Sequence, residues 1–236
     1  MDHDPSPGTP GARFRRAREA LVSVFNQRCF YLFAALLLLI ILVPFMEGSR
    51  TGRLVLNIVN VLVLVAAAVA VSRSRLCLTL AAMLGALIIA CQVLARIVEE
   101  PALRIISAGF GTAFYFLTVS YLLAYVIRRE VLTLDKLYGA AAAYLMLGIL
   151  WFYFYLILLH FHPGAFAIAG NPMLKPVLSE ILYFSFTVLT STGFGDIVPA
   201  HPMARMLCVL QQILGVLYIA ILIARLAGTY APYERR

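Results

Sequence analysis

The sequence predicts an all-α membrane protein: six transmembrane helices, with a short re-entrant helix and loop between the fifth and the sixth. Three observations predict it. Of the 236 residues, 63% are hydrophobic and only 13% are charged, and mean hydropathy is +0.93; a soluble domain of this size would expose far more charge. The apolar residues fall into six runs, each long enough to cross a hydrocarbon core of roughly 30 Å. A seventh apolar stretch, Val177–Leu189, is too short to cross and lies between two that do.

Taken in order, Met1–Ala12 is rich in Pro, Gly and Asp and is expected to be disordered. Arg13–Arg28 places Phe14, Ala17, Leu21, Val24 and Phe25 at helical spacing behind a basic cluster. Such a segment is either an amphipathic helix lying on the cytoplasmic membrane surface or an ordinary linker helix. Residues 1–28 are thus expected to form a cytoplasmic tail. The runs Cys29–Met46, Leu54–Val71, Leu76–Ala95 and Leu103–Ile127 are expected to form a four-helix membrane domain over 29–127. No small-residue cleavage site follows the first run, so it is expected to be retained rather than removed as a signal peptide. Leu137–Phe161 and Met203–Gly228 are the fifth and sixth runs and bound a second unit, 137–228, followed by a short cytoplasmic tail, 229–236.

Val177–Leu189 follows Pro176, which suits a helix start, and carries Ser179 and Glu180 in what would be the first turn. Non-helical backbone at membrane depth is tolerated only where protein buries it or water bathes it. Orientation follows from the basic residues. With both termini in the cytoplasm, 13 of the 19 Lys and Arg lie on the cytoplasmic side and 6 outside. The short helix and its loop then enter from the outer face. A multi-pass protein of the plasma membrane is expected, or of the inner membrane if the source is bacterial.

The net charge of +8 does not indicate nucleic acid, because the positive residues cluster at the ends of apolar runs. The four cysteines, Cys29, Cys77, Cys91 and Cys208, all fall within apolar runs with no CxxC or Cys/His cluster. They predict neither a disulfide framework nor a zinc site. No constellation of catalytic residues points to an enzyme, and no cofactor is expected.

The chemistry concentrates in Thr190-Ser191-Thr192-Gly193-Phe194-Gly195-Asp196, directly after the half-length helix. A dehydrated cation needs a cage of oxygens in place of its water, and stacked backbone carbonyls supply one without fixed charge. For successive carbonyls to point the same way, alternate residues must leave the usual φ < 0 regions. Gly193 and Gly195, alternating with Phe194, do so at little cost. The Ser191 hydroxyl can add oxygens at the inner end, and the half helix directs the negative end of its dipole toward the same axis. One loop cannot encircle an ion, so several copies must share that axis.

Tyr183–Asp196, YFSFTVLTSTGFGD, resembles the pore signature of potassium channels, usually TxxTVGYGD. The resemblance is close over Leu137–Gly228. It implies a homotetramer with fourfold symmetry in the lipid bilayer, conducting K+ as its permeant ion past the carbonyls of Ser191, Thr192, Gly193 and Phe194. It also implies that Tyr183, Phe184, Thr190 and Asp196 support the filter. The alternative for the aromatic pair is a lipid-facing or interfacial placement. Phe194 replaces the usual Tyr, Ser191 a Thr, Thr192 a Val or Ile, and Val188 the first Thr of the pattern. These departures leave a non-selective cation channel as the alternative. A transporter built from four single-glycine loops fits less well, because the paired-glycine segment occurs once, and an intact filter motif argues against a non-conducting membrane subunit.

Gly215 lies 22 residues after Gly193, where the family carries an inner-helix hinge; the alternative is a glycine of close helix packing. Ile219 and Ile223 follow on the same helical face and suit a constriction that closes by dewetting. Gln211 and Gln212 are expected to hydrogen-bond within the subunit core. Weak or absent voltage gating is expected, since Ile105–Ile127 contains no Lys or Arg and each gating charge yields only about 2.3 kcal/mol per 100 mV. The nine residues after Ala227 predict no ligand-sensing domain behind the pore. His160, His162 and His201 are either proton-sensitive or simply solvated loop residues.

Overall fold

The computed structural model describes residues 28–46, 49–71, 75–98, 101–127, 133–168, 170–174 and 177–230. The expectations for Met1–Ala12, for most of Arg13–Arg28, for Pro176 and for the last six residues lie outside these segments.

Among the described residues seven helices follow in order: α1 Arg28–Met46, α2 Arg50–Val71, α3 Arg75–Ile97, α4 Pro101–Ile127, α5 Leu134–Phe161, α6 Leu178–Leu189 and α7 Pro202–Tyr230. Among the described residues, α1, α5 and stretches of α3, α4 and α7 are long and apolar enough to cross a membrane. The chain is therefore a multi-pass membrane protein. The second expected crossing rests on α2, which runs for 22 residues. Its described apolar part, Val55–Ala70, falls short of full span length. Five crossings are thus clear by length and composition among the described residues, and the sixth expected one is described only over that part of α2.

The all-helical expectation missed one element. The segment after α5 folds into β1 Phe166–Ile168 and β2 Asn171–Pro172, and the chain after the glycine segment forms β3 Ile197–Pro199. The strand order is β2-β1-β3, antiparallel throughout, with Ala167 opposite both Pro172 and Val198. Strands of two or three residues carry no readable periodicity. Their only sequence signal is the turn residues Gly164 and Gly170, both at positive φ.

α5 is the central helix: 61% of its apolar window is buried, against 17% of that of α7. It starts three residues before the predicted Leu137, because the Thr133 side chain accepts a hydrogen bond from the Lys136 amide and caps the helix. One face of α5 packs with α1 and α4, and α2 joins the same core from beyond them, around Leu32, Leu36, Val63, Phe114, Leu122 and Met146. Farther along, Trp151 and Tyr155 join Phe166 of β1, Ile181 and Phe184 of α6, Ile197 of β3 and Cys208 of α7.

Near the start of α5, the Asp135 carboxylate accepts from the Cys29 amide of α1 (3.0 Å) and the Tyr125 hydroxyl of α4 (2.9 Å). A carboxylate at the first turn of α1 also favours that helix through its dipole. The Lys136 side chain is buried beside it, over the Tyr125 ring. Arg225 of α7 donates to the Ile127 carbonyl at the end of α4. The four-helix part and the α5–α7 part are thereby joined by polar contacts as well as by packing.

Tyr115 of α4 is fully buried, and its hydroxyl has no hydrogen-bond partner among the described residues. Its ring packs against Phe114 and Tyr153. Removing an orphaned buried hydroxyl recovers desolvation without losing packing, so Tyr115→Phe is expected to stabilise the detergent-solubilised protein by about 1 kcal/mol. A lower melting temperature for the variant would mean that the hydroxyl has a partner.

Candidate functional site

The site is built from α6, the chain that leaves it, and the two helices that hold it. α6 starts at Val177 as N-cap, with Glu180 in its first turn, and ends at Thr190, whose amide bonds back to the Phe186 carbonyl. Twelve residues reach only about 18 Å at 1.5 Å per residue, so the helix cannot cross a bilayer.

At Thr190 the chain turns back along the helix end. The Ser191 amide donates to the Val188 carbonyl (3.0 Å), and the amides of Thr192 and Gly193 converge on the Thr187 carbonyl (2.9 and 3.4 Å). The backbone then alternates: Ser191, Gly193 and Gly195 have φ of 57°, 56° and 81°, while Thr192 and Phe194 between them are not in the positive region. With three successive amides turned back onto α6, no hydrogen bond among the described residues is accepted by the carbonyls of Ser191, Thr192, Gly193 or Phe194. These oxygens are available to a cation.

Gly193 and Gly195 adopt the conformations expected of them, but Ser191 does so without being glycine. A left-handed non-glycine costs roughly 1–2 kcal/mol and persists only where the surroundings fix it. Here the bonds on either side of Ser191 fix it.

The supporting residues divide. The Thr190 hydroxyl donates to the Phe186 carbonyl (2.8 Å) and lies 2.8 Å from the Thr192 hydroxyl, tying both threonines to the end of α6. The Tyr183 ring stacks on Phe194, with centroids 6.3 Å apart and planes 9° apart. Its hydroxyl interacts with the Asp196 carboxylate, which also accepts from the Ile197 amide (3.0 Å). Phe184 points the other way. It packs on Tyr155 and Phe166 and anchors α6 to α5 and β1. Adjacent helical residues lie 100° apart, so only one of the pair can face the loop.

The same geometry separates Gln211 from Gln212. Gln211 is fully buried and bonded to Tyr155 and Ser185. Gln212, expected in the core with it, is exposed instead. With Ser191, Ile213, Val216 and Leu217 it lines an open hollow of about 440 Å³ below the loop. Ile219 and Ile223 are also exposed on α7. Gly215 meets α6: a Cβ there would overlap the Leu189 carbonyl oxygen. The close approach is a feature of packing, and α7 runs unbroken through this position.

At the outer end, β3 and the Ala165 carbonyl hold the chain leaving the loop, through the amides of Ala200 and His201. The His162 and His201 rings stack at 4.4 Å, and the His201 ring accepts from the Met203 amide at the start of α7 (3.2 Å). His160 lies edge-on to Phe161. Sequence reasoning missed this sheet and the Ser185–Tyr155 partners of Gln211. The one available signal was a glutamine, a tyrosine and a serine at membrane depth.

No curated protein and no solved structure matches the chain. Residues 141–231 match a family model described as an ion channel, a range that runs from within α5 through the alternating loop to the end of α7, and this match supports an ion channel.

Proposed function

We propose that the chain is one subunit of a fourfold, potassium-selective channel whose filter is Ser191–Gly195. The alternating φ signs at Ser191, Gly193 and Gly195 carry this reading, because they leave four consecutive carbonyls unbonded within the subunit. A single copy offers one wall of a cage; the apolar surface that α7 leaves uncovered suits neighbouring copies around a shared axis. Phe194 braced by Tyr183, and Asp196 at the outer end, complete a filter in which oxygens replace hydration water without fixed charge at the binding positions. Gly215, Ile219 and Ile223 lie on the helix that would line the inner mouth, with both termini in the cytoplasm. The lack of basic residues in Ile105–Ile127 supports gating that depends weakly, if at all, on voltage.

A non-selective cation channel is the second reading, favoured by the strained Ser191 at the base of the loop. Purified protein in liposomes under opposing potassium and sodium gradients separates the two. The expected reversal potential lies near that of potassium. Reversal near zero would favour the non-selective pore, and absence of flux from intact oligomers would remove the channel reading.

A further inference from the structure

α7 grips α6 at two points about one helical turn apart on each helix: Gln211 at Ser185, and Gly215 at Leu189. The first grip is polar and complete. The Gln211 Nε2 donates to the Ser185 carbonyl (2.8 Å) and hydroxyl oxygen (3.0 Å). The Ser185 hydroxyl in turn donates to the Gly148 carbonyl of α5 (2.7 Å), and the Tyr155 hydroxyl of α5 donates to the Gln211 Oε1 (2.5 Å). The amide orientation is forced, because the Ser185 carbonyl can only accept and so must face the NH2 group. Gln211 and Ser185 are both fully buried. Full burial makes an unmade bond at either residue costly, which favours this one geometry among three helices.

We infer that Gln211 is a positioning residue for the ion path, setting the axial position of α6 and, through it, the Ser191–Gly193 backbone. The inference rests on the filter reading above. The linkage is short. The Ser185 carbonyl precedes Thr187 by two residues, and the Thr187 carbonyl receives the Thr192 and Gly193 amides. A shift of α6 along its axis therefore moves the carbonyl that aligns the loop. Interdigitated packing fixes the position of α6 by shape; the two bonds to Ser185 add a directional constraint at one residue.

Three variants separate positioning from ordinary buried-polar satisfaction: Gln211→Leu, Tyr155→Phe, and the double variant. Gln211→Leu leaves the buried Tyr155 hydroxyl only the Cys208 thiol, a weak acceptor at 3.5 Å, so it is expected to lower the melting temperature as well as the potassium-to-sodium permeability ratio, the latter about tenfold for one lost hydrogen bond of ordinary size. The double variant removes that poorly bonded hydroxyl and is expected to recover melting temperature while the permeability ratio stays low. A double variant that recovers both would overturn the inference, as would a Gln211→Leu variant of unchanged selectivity. If the wild type itself passes both ions alike, the potassium reading fails and the brace is read from unitary conductance. Conductance altered in both Gln211 variants then supports it, and wild-type conductance in the double variant overturns it.

Discussion

Gly193→Ala is expected to cut ion flux at least about tenfold while leaving each subunit folded. Gly193 sits at φ 56°, a conformation that costs an L-residue roughly 1–2 kcal/mol. A Cβ there meets nothing within 4 Å inside the chain, so the penalty is backbone strain rather than a clash. In the proposed tetramer the strain recurs in four copies facing one axis, about 4–8 kcal/mol together, and rotating φ to relieve it would turn a carbonyl away from the ion. Gly170 supplies the control. It has φ 82° with nothing within 4 Å of a built Cβ, but it lies in the turn between β1 and β2. Gly170→Ala carries comparable strain and is expected to lower stability with conduction retained. Liposome flux and thermal melting on both variants decide the matter: normal flux through Gly193→Ala would remove Ser191–Gly195 as the ion path.

The membrane class and the backbone of the glycine segment were legible because both depend on local composition. Uninterrupted Leu, Ile, Val and Ala mark the long helices, and glycine is the residue that enters positive φ without penalty, so Gly193 and Gly195 announced their backbone. Ser191 did not, since its conformation is imposed by bonds to Val188 and by the neighbouring return to Thr187 rather than by its own preference. The three-stranded sheet was hidden by its brevity. The opposite fates of Tyr183 and Phe184, and of Gln211 and Gln212, follow from helical phase, and phase can be assigned only once the partner faces are known. Asp135 reaching the first turn of α1, 106 residues earlier in the chain, is a tertiary contact with no local signature.

Gly215→Ala carries the second large effect, and the structure changes what it tests. The hinge reading holds that alanine stiffens α7 by about 1 kcal/mol, which would lower open probability and leave stability and selectivity alone. The packing at this position points elsewhere. A methyl at Gly215 would overlap the Leu189 carbonyl oxygen and approach the Leu189 Cδ1 to 3.1 Å. A side chain could rotate away, but the carbonyl belongs to the last turn of α6, and the Tyr144 hydroxyl holds it from α5 (3.3 Å). Overpacking of this kind typically costs 1–3 kcal/mol, and relief requires α7 to move off α6 immediately below the Ser191 turn. Gly215→Ala is therefore expected to lower the melting temperature and to reduce selectivity together with conductance. Ile223→Ser, on an exposed part of the same helix, should keep stability and selectivity and raise resting open probability by wetting the inner constriction. Melting curves and single-channel recordings of the two variants give separable outcomes. If Gly215→Ala melts normally, selects potassium normally and only opens less often, the residue is a hinge and the contact with Leu189 yields freely. If Ile223→Ser leaves opening unchanged and thiol reagents reach a cysteine at position 219 from inside in the closed state, α7 carries no gate and closure belongs to the Ser191–Gly195 loop.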